Sequence, residues 1–219
     1  MSPDTSGTGT VHVVDDDPTL RKALVWLMES VGHRVVAYPS AQALLDDWNP
    51  GRSGCIVTDM RMPDMSGIEL LKHLRGEGSE IPVIVISAYG TVPTSVRAMK
   101  LGALDFLEKP FDEQALLDLV NNALAADRRR RSNQTDREVL VKRMALLSER
   151  ENEVLKSLLN GVGNKEIARV MGISPKTVET YRSRILEKTK FGRMDALCEK
   201  IQYFQVLTRD RRDPDPPYK

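Results

Sequence analysis

Cys55-Ile-Val-Thr-Asp-Met-Arg-Met-Pro-Asp-Met-Ser-Gly67 is the stretch on which the reading of this chain turns. A short apolar run ends on a lone carboxylate, Asp59, and passes directly into a turn carrying Pro63, Asp64 and Gly67. Apolar runs without alternation, bounded by turn residues, mark strands that a parallel sheet buries on both faces. Five such runs are read in the first half of the chain, each closing near a residue suited to handling a phosphoryl group. Val11-His-Val-Val closes on Asp15 and Asp16, the Cys55 run on Asp59, Val83-Ile-Val-Ile on Ser87, and Leu104-Asp-Phe-Leu runs to Lys109-Pro110. Helical spacing lies between them, so the fold class is α/β, a doubly wound five-stranded parallel sheet. All strand C-termini of such a sheet open on one edge, where ligands bind. Three carboxylates, a hydroxyl and an ammonium are therefore expected to meet there.

Carboxylates crowded at one point repel one another unless a cation lies among them, and hard oxygen ligands suit Mg²⁺. Asp15, Asp16 and Asp59 are the expected ligands, with a backbone carbonyl supplied by the turn at Arg61. With its charge offset, one carboxylate can attack phosphorus in line and form an acyl phosphate. Asp59, alone at its strand end, is the expected nucleophile. Lys109 would pair with the phosphoryl oxygens and Ser87 would donate a hydrogen bond to them.

V-V-D-D-D, T-D-M-R-M-P-D-M-S-G, V-I-S-A and E-K-P-F occur in this order and together resemble the receiver domain of bacterial two-component response regulators over about residues 10 to 127. The resemblance implies a CheY/flavodoxin-like sheet, an acidic pocket at Asp15 and Asp16, the phosphoacceptor at Asp59, and the switch hydroxyl at Ser87. It also implies the phosphate-pairing lysine at Lys109 and a switch aromatic at Phe106. Plainer roles fall to neighbours: Asp17, before Pro18, reads as a helix cap, and Asp64 as turn chemistry. His12, His33 and His73 share no ligand spacing, so no zinc is expected, and Cys55 and Cys198 form no disulfide framework.

The net charge of +1 over 219 residues hides two opposite halves. Residues 1–127 carry 10 Lys and Arg against 18 Asp and Glu, a balance of −8, whereas 128–219 carry 22 against 13, or +9. An acidic phosphoryl-handling half joined to a basic half points to a second module that binds a polyanion. No apolar stretch reaches the length of a membrane span and no signal-peptide pattern opens the chain, so a cytoplasmic protein without membrane contact is expected. The divide falls near Ala126-Asp-Arg-Arg-Arg-Arg-Ser132. Residues 111–160 contain no Pro or Gly, so the linker, 128–145, is expected to be helical. Its four arginines read as a solvated face, with contact to DNA phosphates as the alternative. Residues 1–9 and 209–219 read as disordered.

Residues 146–208 read as a small all-α domain of four short helices. Ser148-Glu-Arg-Glu opens the first with a capping box, Asn164 is read as the cap of the second, and Gly172-Ile-Ser174 forms a tight turn before Pro175. Two helices joined by such a turn form a helix-turn-helix, whose second helix enters the DNA major groove. On that helix Val178, Ile185 and Leu186 point inward. Lys165, Lys176, Thr177, Glu179, Thr180, Tyr181, Arg182, Ser183 and Arg184 are the candidate DNA contacts, with Glu179 either reading a cytosine amino group or pairing with Arg182. The segment L-S-E-R-E-N-E-V-L to R-S-R-I-L-E-K resembles the LuxR-type DNA-binding domain. Joined to a receiver, it is similar to the NarL/FixJ-type response regulators, nearer the FixJ branch. Leu197, Ile201 and Phe204 share a face that serves either pairing between domains or packing within one.

The expected function is that of a DNA-binding transcription regulator, not an enzyme. A partner histidine kinase phosphorylates Asp59, the chain dimerises, and two-fold-related double-stranded operator DNA is bound. An aspartyl phosphatase needs a second Asp two residues after its nucleophile, and Arg61 stands there. A phosphorylation-independent or ligand-responsive regulator with the same DNA-binding domain is the remaining alternative.

Overall fold

The computed structural model describes residues 9–49, 51–88 and 92–209. The stretches expected to be disordered lie outside these residues except for Gly9 and Arg209. The chain divides into two compact units between Ser132 and Asn133.

In the first unit, strands β1 (Thr10–Val14), β2 (Arg34–Tyr38), β3 (Gly54–Asp59), β4 (Val83–Ser87) and β5 (Asp105–Glu108) form one parallel sheet in the order β2-β1-β3-β4-β5. Helices α1 (Pro18–Ser30), α2 (Ala41–Asp46), α3 (Gly67–Gly76), α4 (Val92–Lys100) and α5 (Glu113–Met144) connect and follow the strands. The apolar runs divide residue by residue between two cores, because successive side chains leave opposite faces of a strand. Val11, Val13, Cys55, Val57, Ile84 and Ile86 pack with Leu24, Met28, Leu116 and Val120. Val14, Ile56, Val83 and Val85 pack with Leu44, Leu70, Leu71 and Leu74 on the other side. Each fully buried aliphatic side chain contributes about 1.5–3 kcal/mol, and a sheet clothed on both faces needs the unbroken apolar runs that the sequence shows.

One strand departs from expectation. β2 ends on Tyr38, whose hydroxyl donates to Asp47 Oδ2 at 2.8 Å and accepts from Arg52 at 2.6 Å. No phosphoryl-handling group closes this edge strand, and only four strand ends feed the site. The strand order reverses between β1 and β3, and a crevice opens beyond the C-terminal ends where crossovers leave the sheet in opposite directions.

Two glycines answer to close approach. At Gly54 (φ 126) a Cβ would lie 1.8 Å from the Thr10 carbonyl oxygen, and at Gly67 it would lie 2.4 Å from that of Asp59. The second contact lets α3 begin against the end of β3, where Gly67 N–H also donates to Met60 O at 3.1 Å. Ser66 and Glu69 close a reciprocal capping box there, and Asp17 caps α1 by accepting from Thr19 and Leu20, as its position before Pro18 predicts. Asp64 adopts φ 67, in keeping with its turn reading.

The arginine run is only partly a solvated face. Arg128 and Arg129 are exposed, but Arg130 and Arg131 pair with buried Asp127 at 2.7 and 2.8 Å. Arg131 also donates to the Gly51 carbonyl at 3.0 Å and to that of Arg52. Aspartate one helical turn ahead of two arginines supplies the physical reason: i,i+3 and i,i+4 neighbours meet on one face. Helix α5 then runs without interruption to Met144.

In the second unit α6 (Glu149–Leu159), α7 (Asn164–Met171), α8 (Pro175–Thr189) and α9 (Met194–Arg209) enclose a separate core with Leu140. The Ser148–Glu151 capping box and the Ser174 cap are present. Asn164 is not a cap: Gly163 holds that position without a side-chain bond, and Asn164 is already helical. Its amide oxygen is used elsewhere, as described below. Leu197, Ile201 and Phe204 all belong to the core of this unit, which decides their role in favour of internal packing. Glu151, 2 % exposed, accepts from Lys188 Nζ at 2.6 Å, tying the start of α6 to the end of α8.

Candidate functional site: an acidic cleft and a basic helix

At the C-terminal edge of the sheet a cleft of about 220 Å³ is lined by Asp15, Asp16, Asp17, Leu20, Asp59, Arg61, Ser87, Ala88 and Lys109. Strand ends far apart in sequence deliver these groups because β1, β3 and β4 are adjacent and in parallel register. Lys109 reaches them from the loop after β5, where its N–H donates to Ser87 O at 2.8 Å and its bond to Pro110 is cis.

Asp59 is buried and doubly held. Its Oδ1 accepts from Lys109 Nζ, and its Oδ2 accepts the Arg61 backbone N–H at 2.6 Å. Lys109 Nζ also stands 3.6 Å from Asp15 Oδ2, so a single ammonium serves both carboxylates. Asp15 Oδ1 accepts from Asp17 N–H at 2.8 Å, and the Asp15 carbonyl accepts from Arg21 at 2.6 Å. Burial pushes the Asp15 carboxyl above its ordinary range, with Asp59 and Asp16 adding to the effect; the Asp17 N–H and Lys109 oppose it. Burial, more than the neighbouring carboxylates, therefore sets the direction at Asp15.

The expected trio of carboxylates lines one cleft, with Asp15 and Asp59 buried inside it. Asp16 is exposed at the rim, and no group of three or more His, Cys, Asp or Glu side chains is drawn together as a metal set among the described residues. Asp15 is buried just beyond the end of β1, whereas Asp16, the next residue, keeps its carboxylate in solvent at the mouth of the same cleft. Asp15, Asp16 and Asp59 contribute carboxylate oxygens to the cleft, donors whose hardness fits Mg²⁺. Ser87 is buried and borders the cleft. Phe106 is partly buried against the apolar layer that contains Val85, its neighbour in the β4–β5 register. Arg21 was missed as a member of the site; its signal is a basic residue one turn after the Asp17 cap.

In the second unit the candidate DNA contacts sort into two groups. Lys165, Lys176, Glu179, Thr180, Ser183 and Arg184 are exposed. Thr180 and Ser183 turn their hydroxyls back to the carbonyls of Lys176 and Glu179, each at 3.1 Å, and Thr177 bonds Ser174. Tyr181 and Arg182 depart from the outward orientation expected of them. Tyr181 packs against the core, and Arg182 donates to Asn164 Oδ1 at 2.7 Å. Arg182 lies on the side of α8 that meets α7, and both residues are half-buried.

Comparison with known proteins agrees with both halves. Residues 11–121 match the family model "Response regulator receiver domain", and residues 145–197 match "Bacterial regulatory proteins, luxR family". The transcriptional regulatory protein FixJ of Azorhizobium caulinodans is 48% identical over 204 residues, covering 93% of this chain and 97% of its own length. The solved structure of the response regulator StyR aligns with a TM-score of 0.75 at 39% identity, over 90% of this chain and 99% of that one. Full-length FixJ from B. japonicum aligns with a TM-score of 0.55 at 38% identity, over 89% and 96%. No helix among the described residues is long and apolar enough to cross a membrane. With a CheY-like receiver and a LuxR-type helix-turn-helix both present, the chain belongs to the two-component response regulators of the NarL/FixJ type, near the FixJ branch, and is a transcription regulator under phosphorylation control.

Proposed function

We propose that Asp59 is the phosphoacceptor of this regulator, taking a phosphoryl group from a partner histidine kinase. The observation that carries the proposal is the placement of Asp59 at the end of β3, held between Lys109 and the Arg61 N–H in a cleft shared with Asp15. Asp15, Asp16, Asp59 and the Arg61 backbone carbonyl would hold Mg²⁺, which when bound offsets the charge of donor and cleft. A carboxylate oxygen of Asp59 attacks phosphorus; an acyl phosphate forms as the phosphohistidine P–N bond breaks, and the departing imidazole takes up a proton. Lys109 and Ser87 then hold the phosphoryl oxygens. The phosphoryl group adds about two negative charges to Asp59, drawing in Ser87, and Phe106 follows by deepening its burial. The exchange is stoichiometric, so no catalytic turnover is assigned to the chain.

The response is a shift between two states that a bias of a few kcal/mol makes useful. Dimerisation on phosphorylation places two copies of α8 on two-fold-related DNA with half-sites about 10 bp apart. Lys165, Lys176 and Arg184 supply phosphate contacts, with Glu179, Thr180 and Ser183 on the side of the base edges. Residues 10–127, 128–145 and 146–208 correspond on this reading to receiver, helical linker and DNA-binding domain, in a cytoplasmic protein. Radiolabelled acetyl phosphate with Mg²⁺ tests the central step: a hydroxylamine-labile label on the wild type, absent from Asp59→Asn, is expected. Label persisting in that variant rules Asp59 out.

A further inference from the structure

We propose that Glu179 is a base-reading residue of α8 and that it selects a cytosine in each bound half-site. The inference rests on the reading above that α8 enters the major groove, and it assigns one element of the sequence recognised there.

Glu179 is exposed on a helix whose other polar ends are largely committed. Thr180 and Ser183 are bonded to their own helix, Thr177 to Ser174, and Tyr181 to the core. Arg182, the i,i+3 neighbour that would neutralise Glu179, instead gives its guanidinium to Asn164 on α7 at 2.7 Å. Among the described residues no ion pair joins Glu179 to a cation of α8. Its carboxylate is thus offered outward on a module whose overall charge is strongly positive.

An uncompensated carboxylate repels a polyanion unless it accepts a hydrogen bond from a donor on a base edge. The major groove presents only two amino donors, cytosine N4 and adenine N6. Adenine sets its N6 beside the N7 acceptor, which repels a carboxylate; cytosine sets its N4 beside a C–H. Cytosine is therefore the base that Glu179 accepts at lowest cost. The Asn164–Arg182 bond is a positioning device, since it keeps the guanidinium from closing on Glu179 and removing its capacity to read.

Binding-site selection with the full chain, activated by beryllofluoride and Mg²⁺, tests the assignment. The wild type is expected to select sites that share a C·G pair at one place, and replacing that cytosine by thymine weakens binding about tenfold or more. Glu179→Gln should lose that preference and gain one for adenine, whose N6 and N7 a carboxamide meets together. Asn164→Ala should lower the cytosine preference while leaving Glu179 in place; an unchanged preference overturns the role given to the Asn164–Arg182 bond. Retention of the cytosine preference in Glu179→Gln overturns the proposal. So does uniform tightening of Glu179→Ala on every sequence, which would make Glu179 a mere repulsive charge. A wild type that binds all DNA equally refutes specific operator binding itself, a distinct failure.

Discussion

Asp127 accepts the backbone N–H of Gly54 at 2.9 Å, joining α5 to the start of β3 across 73 residues of chain. The carboxylate is 1 % exposed and also receives Arg130 and Arg131, so one side chain satisfies a buried amide and two guanidinium groups. Asp127→Ala strands the buried Gly54 N–H and removes one partner from each of two part-exposed guanidinium groups, and the expected loss is about 1–3 kcal/mol. Urea unfolding checks it against Arg129→Ala, an exposed neighbour whose loss should stay within about 0.5 kcal/mol. Equal effects of the two substitutions would show that the clasp contributes nothing.

Lys109 is the positive charge that Asp15 and Asp59 share. Lys109→Met should raise the Asp15 carboxyl further, because the lysine now holds it down against burial. With the competing ammonium gone, Mg²⁺ affinity should tighten roughly tenfold, on the scale of one unit charge at a partly screened site. Phosphoryl uptake from acetyl phosphate should nonetheless fall, since the partner for the transferred group is missing. Calorimetric titration with Mg²⁺ and a labelling time course read the two effects separately; weaker Mg²⁺ binding in the variant contradicts the assignment.

His12 lies within β1, 2 % exposed, and among the described residues neither ring nitrogen makes a hydrogen bond of good geometry, the Ser53 backbone offering only a weak one. Burial, with the Arg52 guanidinium second, lowers its pKa from 6.5 to about 4. Between those values the unfolded chain binds the proton and the folded chain does not, so stability falls as pH drops from about 6.5 towards 4. The contribution is on the order of 3 kcal/mol when complete. His12→Val should flatten this part of the stability profile, measured by urea unfolding at stepped pH.

Lys190 closes α8 in the left-handed region at φ 60. A residue with a Cβ is strained there, whereas glycine is not. Lys190→Gly should stabilise the second unit by about 0.5–1 kcal/mol, seen as a higher thermal midpoint. A lower midpoint would show that the lysine side chain contributes more than its backbone costs.

Much of this was legible from local pattern. Apolar runs that end on Asp15, Asp59 and Ser87 announce strands, because burial on both faces leaves no room for alternation. Ser148, Ser174 and Asp17 announce helix starts, because a cap needs only neighbours within three residues. The parallel sheet also follows, since crossovers of helical length between strands admit little else. What resisted reading involves partners remote in the chain. The arginine run reads as solvated until Asp127 is seen to face Gly54, and Arg182 reads as a DNA contact until α7 brings Asn164 beneath it.

Taken alone, the order of residues determined which elements form, that the chain has an acidic half and a basic half, and which side chains compete for one edge of the sheet. Tertiary structure alone decided which of those side chains meet. It set Lys109 between Asp59 and Asp15, left Asp16 at the rim, closed β2 on a tyrosine that serves Asp47 and Arg52, and tied Arg182 down while leaving Glu179 outward. The reason is one of range: propensity and capping act over a few residues, whereas pairing of charges depends on distances that only packing fixes.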